Sequence, residues 1–220
     1  MIHGGMAVDP AVAAAQENTV QLLRDLGHNV VDAIIPVDQE EFFRNFNGAI
    51  LRQFGAVAEQ ARSISGAAAG ESGLLDPFTA SLIEWGSSFS SEDQAAGAAY
   101  LQKVPGLFDR LFTGIDLLLS PVMPFVSIDA NALSPGSLVN DHLLNFLQSG
   151  LAYTAAANIS GHAAMSVPLN WDAKSGMPIG SQFQAAAGND AMLYELAFEL
   201  EQARPWKDRW APYSVKFIPV

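Results

Sequence analysis

At 220 residues the chain has room for one large domain or a domain and a half, which excludes long tandem architectures. Charged residues are 15% and hydrophobic ones 50%, with 18 Gly and 12 Pro, a balance that excludes disorder and favours a packed interior with tightly turned loops. Eleven basic against 23 acidic residues give a formal charge of −12, which repels a polyanion such as DNA, and the absence of Cys excludes disulfides, thiolate metal sites and a Cys nucleophile.

The first helix is predicted from Asp9-Pro10, where Asp9 caps free N–H groups and Pro10 takes the first helical position. Val12, Ala15, Leu22, Leu23 and Leu26 supply its apolar face, and Gly27 ends it. Val30, Val31, Ala33, Ile34 and Ile35 then read as a buried strand closed by Pro36. A second helix starts at Asp38, with Glu41 three residues on, and carries Phe42, Phe43, Phe46, Ile50 and Phe54. That aromatic stripe reads as core, with an apolar ligand channel as the alternative.

From Ser63 to Ser91 the glycines and Asp76-Pro77 break the pattern into loops around a short helix at Phe78 to Trp85. Ser91-Glu92-Asp93-Gln94 opens a helix that Pro105 kinks or interrupts before Phe112. A strand is predicted over Ile115 to Leu119, leading into Ser120-Pro121-Val122-Met123-Pro124, where no helix can start. Asn140 to Ala157 reads as a long apolar helix ending at a turn over Asn158, Ile159, Ser160 and Gly161. Strands at Ala163 to Val167, stopping at Pro168, and at Ile179 to Ala185 follow, joined by the turn Asp172 to Gly176. A final helix, Asp190 to Ala203, buries Leu193, Leu196, Ala197 and Leu200, and Arg204-Pro205 ends it. This alternation predicts an α/β fold, with a mixed, partly parallel sheet flanked by helices.

Chemistry is sparse in this pattern. His3, His28, His142 and His162 never fall at i, i+3 or i, i+4 spacing, so no metal site is expected, and no Gly-rich phosphate loop or Gly-x-Ser-x-Gly elbow calls for a cofactor or a nucleophile. Glu40-Glu41 and Glu92-Asp93 sit at helix starts, where capping explains them. Gly86-Ser87-Ser88 with Ser90-Ser91 could hold a serine nucleophile, but Phe89 and a helix start follow directly, and a capping loop is the simpler reading. Arg204, Lys207 and Arg209 form the one basic cluster and read as a solvated helix end. Met1-Ile2-His3-Gly4-Gly5 lacks the features of a secretory signal and no run approaches the roughly 20 apolar residues of a bilayer span, so a cytoplasmic chain without a membrane partner is expected.

The tail is more specific. Asn158-Ile159-Ser160-Gly161, Ala164-Met165-Ser166-Val167-Pro168, Gly176-Met177-Pro178-Ile179-Gly180-Ser181-Gln182 and Glu199-Leu200-Glu201-Gln202, in that order, closely resemble the C-terminal signature of the amidase signature family. Val8-Asp9-Pro10 with Leu26-Gly27-His28-Asn29-Val30, and Ile115 to Pro121, extend the resemblance over nearly the whole chain. The stretch Met165 to Asn170 with Gln202-Ala203-Arg204-Pro205-Trp206 is most similar to the branch that includes 6-aminohexanoate cyclic-dimer hydrolases.

The resemblance implies hydrolysis of amides by a Ser, a second Ser in a cis peptide and a Lys, with the nucleophile in a Gly-Gly-Ser-Ser-Gly-Gly-Ser stretch of the N-terminal half. Nothing here matches that stretch, and Lys103, Lys174, Lys207 and Lys216 do not occupy the base position. Ala163 also stands where the family shows Pro after the residue matched by His162. Residues 1–220 are therefore expected to be a C-terminal half of an amidase domain, with no catalytic residue of their own. Such a half contributes pocket wall: Asn158, Ile159, Ser160 and Gly161 are the expected substrate-binding residues, with the turn Pro121 to Phe125 beside them, and turn packing is the alternative for both. The expected partners are a small-molecule amide, met through the complete enzyme, and a polypeptide supplying the catalytic half. A non-catalytic module that binds a partner or forms a homo-oligomer is the other reading.

Overall fold

The computed structural model describes residues 2–3, 6–51, 53–128, 148–210 and 214–217. They fall into two compact units, the first made of Met1–Pro36, Pro105–Ser127 and Ser149–Val220, the second of Val37–Val104 and Ile128–Gln148.

The first unit opens with a minimal antiparallel pair, β1 (Ile2–His3) and β2 (Met6–Ala7). Helix α1 (Pro10–Asp25) follows, capped as expected, with Asp9 Oδ1 accepting from the Ala11 N–H at 2.7 Å. The sheet has three strands, β3 (Leu117–Pro121), β4 (Ala163–Trp171) and β5 (Pro178–Ala185), in the order β3-β5-β4. The α/β class stands, but the expected partly parallel pairing does not: both pairings among the described residues are antiparallel. For β4 and β5 the hairpin imposes this, because a connection of six residues, pinned by Asp172 N–H to Met177 O at 2.9 Å and Ser175 N–H to Asp172 Oδ2 at 2.7 Å, can only reverse the chain. β3 and β4 share a direction with β5 between them.

Two further expectations change. β4 does not stop at Pro168 but runs through it to Trp171, with a register shift between Val167 and Asn170 that accommodates a residue without an N–H. Residues 28–35 form no strand; among the described residues none pairs with the β-branched run.

Alternation along β5 sets the two faces of the sheet. Phe183 and Ala185 join Leu23 of α1, Val167 and Leu169 of β4, and Leu193, Leu196 and Leu200 of α8 (Asp190–Ala203) in one core cluster. A second cluster joins Val12 and Ala15 to Ile179. Gln182 points to the opposite face, where its Nε2 donates to the Tyr153 carbonyl at 3.3 Å.

Of the long helix expected from Asn140 to Ala157, residues 140–147 lie outside the described residues; residues 148–150 are helical and 151–153 form a turn. Helix α7 (Thr154–Ser160) then takes up the residues expected as a turn, because Ala155, Ala156 and Ala157 favour helix and the first residue able to end it is Gly161, at φ +71°.

The second unit is helical. α2 (Gln39–Ile50) starts where Asp38 Oδ1 accepts from the Glu41 N–H at 2.8 Å, and it ends at Leu51, so Phe54 belongs to a separate α3 (Gln53–Ser65). Phe42 and Phe43 are buried, with rings 5.4 Å apart and edge-to-face, as a packing stripe requires. Asp76 caps α4 (Pro77–Ser87), and α5 (Ser91–Leu101) opens with a reciprocal Ser90–Asp93 capping box. α6 (Val104–Leu111), whose residues from Pro105 on belong to the first unit, carries Pro105 at its second position, beyond the break it was expected to cause. Among the described residues no helix is long and apolar enough to cross a membrane.

Candidate functional site

The Pro-rich exit of β3 and the facing ends of β4 and β5 enclose a cavity of about 220 Å³ in the first unit. Val122, Met123 and Phe125 come from the exit, Ser166 from β4, Ile179 and Gly180 from β5. The two prolines hold the exit extended, and Pro124 anchors it through its carbonyl, which accepts from the Asp9 N–H at 2.7 Å. Gly180 is there for space: a Cβ at this position would stand 2.8 Å from Val122 Cγ2 and 2.9 Å from Ser166 Oγ. The cavity is thus a largely apolar slot with two serines, Ser127 and Ser166, in its lining, and no lining side chain is ionisable. It can hold and orient an apolar group; it supplies no base.

Asn158, Ile159, Ser160 and Gly161 are not among the residues lining this cavity. They form the last turn of α7 and its cap, and what they organise is His162. Ser160 is buried, its hydroxyl donating to the Ala157 carbonyl at 2.8 Å and lying 3.4 Å from the His162 N–H. His162 Nδ1 is 3.1 Å from the Ser160 carbonyl, an acceptor only, so Nδ1 carries a proton. The ring packs against Phe112 at 5.2 Å and Phe108 at 5.9 Å, and Nε2 lies 3.2 Å from Asp109 Oδ1, within ion-pair distance but off the line of a hydrogen bond. The second expected turn, Pro121 to Phe125, does contribute to the cavity.

Polar signature residues pin the site's walls rather than face into it. Thr19 Oγ1 lies 3.0 Å from Ser181 Oγ and accepts from Asn170 Nδ2 at 2.9 Å, while Arg204 Nη1 donates to Asn170 Oδ1 at 3.3 Å. On the other face Gln182 Nε2 donates to Ser120 Oγ at 3.1 Å as well as to the Tyr153 carbonyl. Burial pushes the Tyr153 hydroxyl up to about 12. Roles for Asn170, Gln182 and Gly180 were not read from the sequence; polar residues standing inside otherwise apolar strands were the available signal.

The serines considered for catalysis are caps. Ser88 Oγ donates to the Trp85 carbonyl at 2.6 Å, and Ser90 Oγ donates to Asp93 Oδ2 at 2.6 Å. The Ser90 hydroxyl, with the Ser90 N–H, holds the Asp93 carboxyl below its usual range. The second unit has a larger, open groove of about 500 Å³ between α2 and α5, bordered by Glu41, Arg44, Asp93 and Lys103 with Tyr100, whose hydroxyl is pushed up by burial and then by the charges of Glu41 and Asp38. Its lining carries two carboxylates and two cations, so it has no net charge to draw a ligand of either sign. Among the described residues no three His, Cys, Asp or Glu side chains come together as a metal ion would need.

The family described as Amidase matches residues 2–194. The 6-aminohexanoate-cyclic-dimer hydrolase of Paenarthrobacter ureafaciens is 30% identical over 94% of this chain, and that of Pseudomonas sp. strain NK87 is 31% identical over 94%. The chain spans 43% of the length of each. A solved 6-aminohexanoate cyclic dimer hydrolase, complexed with substrate, superposes with a TM-score of 0.75 at 26% identity, covering 95% of this chain and 44% of that one. A bacterial aryl acylamidase of the amidase signature family shares the fold at a TM-score of 0.74 and 21% identity, again over 95% of this chain and 44% of the other. With the family matched along most of its length and the signature strands assembled into one sheet around one slot, the chain belongs to the amidase family.

Proposed function

We propose that residues 1–220 are the C-terminal half of an amide-bond hydrolase and supply its scaffold and one wall of its substrate pocket, the nucleophile, base and oxyanion donors lying outside this chain. The observation that carries the reading is the slot at the exit of β3, built from family-signature residues yet lined by no ionisable side chain. Acyl transfer needs nucleophile, base and oxyanion donors within hydrogen-bond reach of one another, and this slot offers only shape. Its apolar lining from Val122, Phe125 and Ile179 suits the methylene chains of an aliphatic amide, linear or cyclic, the substrate class in the names of the two relatives at 30% and 31% identity. Asn158, exposed in the last turn of α7 beside Gly161, is proposed as a further contact for substrate in the complete enzyme. A cytoplasmic setting belongs to the same reading, supported by the absence of Cys.

The test is turnover. Purified chain given linear and cyclic aliphatic amides and an aryl-amide reporter is expected to release no product, and to release it once the remaining segment of the Paenarthrobacter relative is co-expressed with it. Turnover by the chain alone, lost in Ser88→Ala or on treatment with a serine-directed phosphonate, would overturn the proposal.

A further inference from the structure

Helix α8 closes the core with one face and leaves its opposite face aromatic and open. Leu193, Leu196 and Leu200 are buried in the core cluster, whereas Tyr194 and Phe198, four residues apart on the other side, are 67% and 64% exposed. A single exposed apolar side chain is ordinary, but two aromatic rings on one helix face form a patch. Ala191 and Gln202 continue the stripe at helical spacing, and Glu195 and Glu201 flank it on either side. Asp190–Ala203 carries four carboxylates, Asp190, Glu195, Glu199 and Glu201, and no Lys or Arg.

Helix stability does not account for that charge pattern. Glu195 and Glu199 repel each other at i, i+4, and Glu199 and Glu201 stand toward the negative end of the helix dipole, where a base belongs. Glu199 is answered by His28, whose Nε2 lies 3.0 Å from its Oε2. Among the described residues no ion pair or hydrogen bond takes up the carboxylates of Glu195 and Glu201.

We propose that the Tyr194–Phe198 face of α8 is a docking surface for a basic amphipathic helix of a partner protein. Charge complementarity selects that partner: its apolar side chains would cover the two rings, and its Lys and Arg would meet Glu195 and Glu201 at the rim and the ring faces themselves. Other occupants fit worse. An anionic bilayer or a nucleic acid meets carboxylates of its own sign. A second copy would set the same acidic face against this one, on chains that each carry a formal charge of −12. The face shares no residue with the slot at the exit of β3, so its role goes beyond the proposed function.

Fluorescence anisotropy on the whole chain at low ionic strength tests this, with a labelled synthetic helix of about 18 residues bearing Leu on one face and Lys on the other. The peptide is expected to bind at one site per chain and to bind about tenfold or more weakly to Tyr194→Gln/Phe198→Gln. Glu195→Gln/Glu201→Gln should weaken binding about fivefold and flatten its salt dependence, while Glu17→Gln/Glu59→Gln, the same loss of charge on α1 and α3, should change it less than about twofold. None of these six side chains is buried, so all three variants should melt with the parent chain, which separates a lost surface from a lost fold. No binding, an equal loss in all three variants, or equal binding of a peptide with Glu in place of Lys would each overturn the inference. So would a dimer of the chain that grows with its concentration and is abolished by Tyr194→Gln/Phe198→Gln, because the face would then belong to a second copy.

Discussion

Asn170 and Thr19 are joined by a 2.9 Å hydrogen bond from the carboxamide to the hydroxyl, and through it the bulged strand β4 is tied to helix α1. Asn170 Nδ2 also reaches the Ala15 carbonyl at 2.9 Å, and Thr19 is fully buried, so the two share one network that also takes in Ser181 and Arg204. Removing either leaves buried partners short of a bond, and the second removal then costs less than the first. Asn170→Ala is expected to destabilise the chain by about 2 kcal/mol, and Thr19→Val by about 1–2 kcal/mol. Denaturant melts of the double variant should show a loss smaller than the sum.

Gly180→Ala should act on space alone. Its backbone is unstrained, but the new methyl would press on Val122 Cγ2 and Ser166 Oγ, one of them a branched side chain in a packed turn. A loss of about 1–3 kcal/mol is expected, together with a smaller slot. Val122→Ala added to Gly180→Ala should recover part of it, and a thermal melt of the three variants checks the sign of the coupling.

Acid should loosen the helix start at Ser90. The Asp93 carboxylate accepts from the Ser90 hydroxyl and N–H, which lowers its pKa from the ordinary 3.8. A depressed carboxyl contributes stability that is fully present above its unfolded value and fades as pH falls through the folded one, so the window lies below about pH 4. Tm measured against pH for wild type and Asp93→Asn should therefore differ at neutral pH and converge in strong acid. Asp172, held down mainly by Ser175, should behave the same way in the β4–β5 hairpin.

At the alkaline end Tyr153 is the sensitive group. Its hydroxyl, raised to about 12 by burial, stays neutral in the folded chain while the unfolded chain ionises near the ordinary value of 10.0. Stability is unaffected below about pH 10 and falls as pH rises toward 12. Ultraviolet titration of the four tyrosines should show one that ionises last, and Tyr153→Phe should flatten the alkaline decline in Tm.

The first two helix starts were legible in the sequence because they are fixed locally, Asp9 and Asp38 each capping with its own side chain; Asp76 and Ser90 also cap, each just before the place where its helix was read to begin. The ordered tail motifs made the family legible too. What was not legible depends on distant partners. The β-branched run at Val30 has the propensity of a strand, yet a strand exists only where another pairs with it, and no described residue does. Pro168 reads as a stop, but a bulge at Val167–Asn170 lets β4 pass it, and that depends on the register with β5. The stretch Asn158 to Gly161 was read as a turn because Asn and Gly mark loop ends; the alanines before it carry the helix on to Ser160, and its part in holding substrate stays a proposal. The slot itself needed three strands at once: Val122, Ser166 and Gly180 are each unremarkable until Gly180 brings them within touching distance.

The strand order β3-β5-β4 also fixes a sequence of events during synthesis. β5, the last made of the three, is the one to which both others bond, so among the described residues neither β3 nor β4 has a partner in this sheet until residues 178–185 leave the ribosome. The sheet closes late and all at once, by a loop closure over some 60 residues on the β3 side. A nascent chain that has reached residue 170 holds helices with β3 and β4 waiting beside them, the stage at which exposed edges are most open to aggregation.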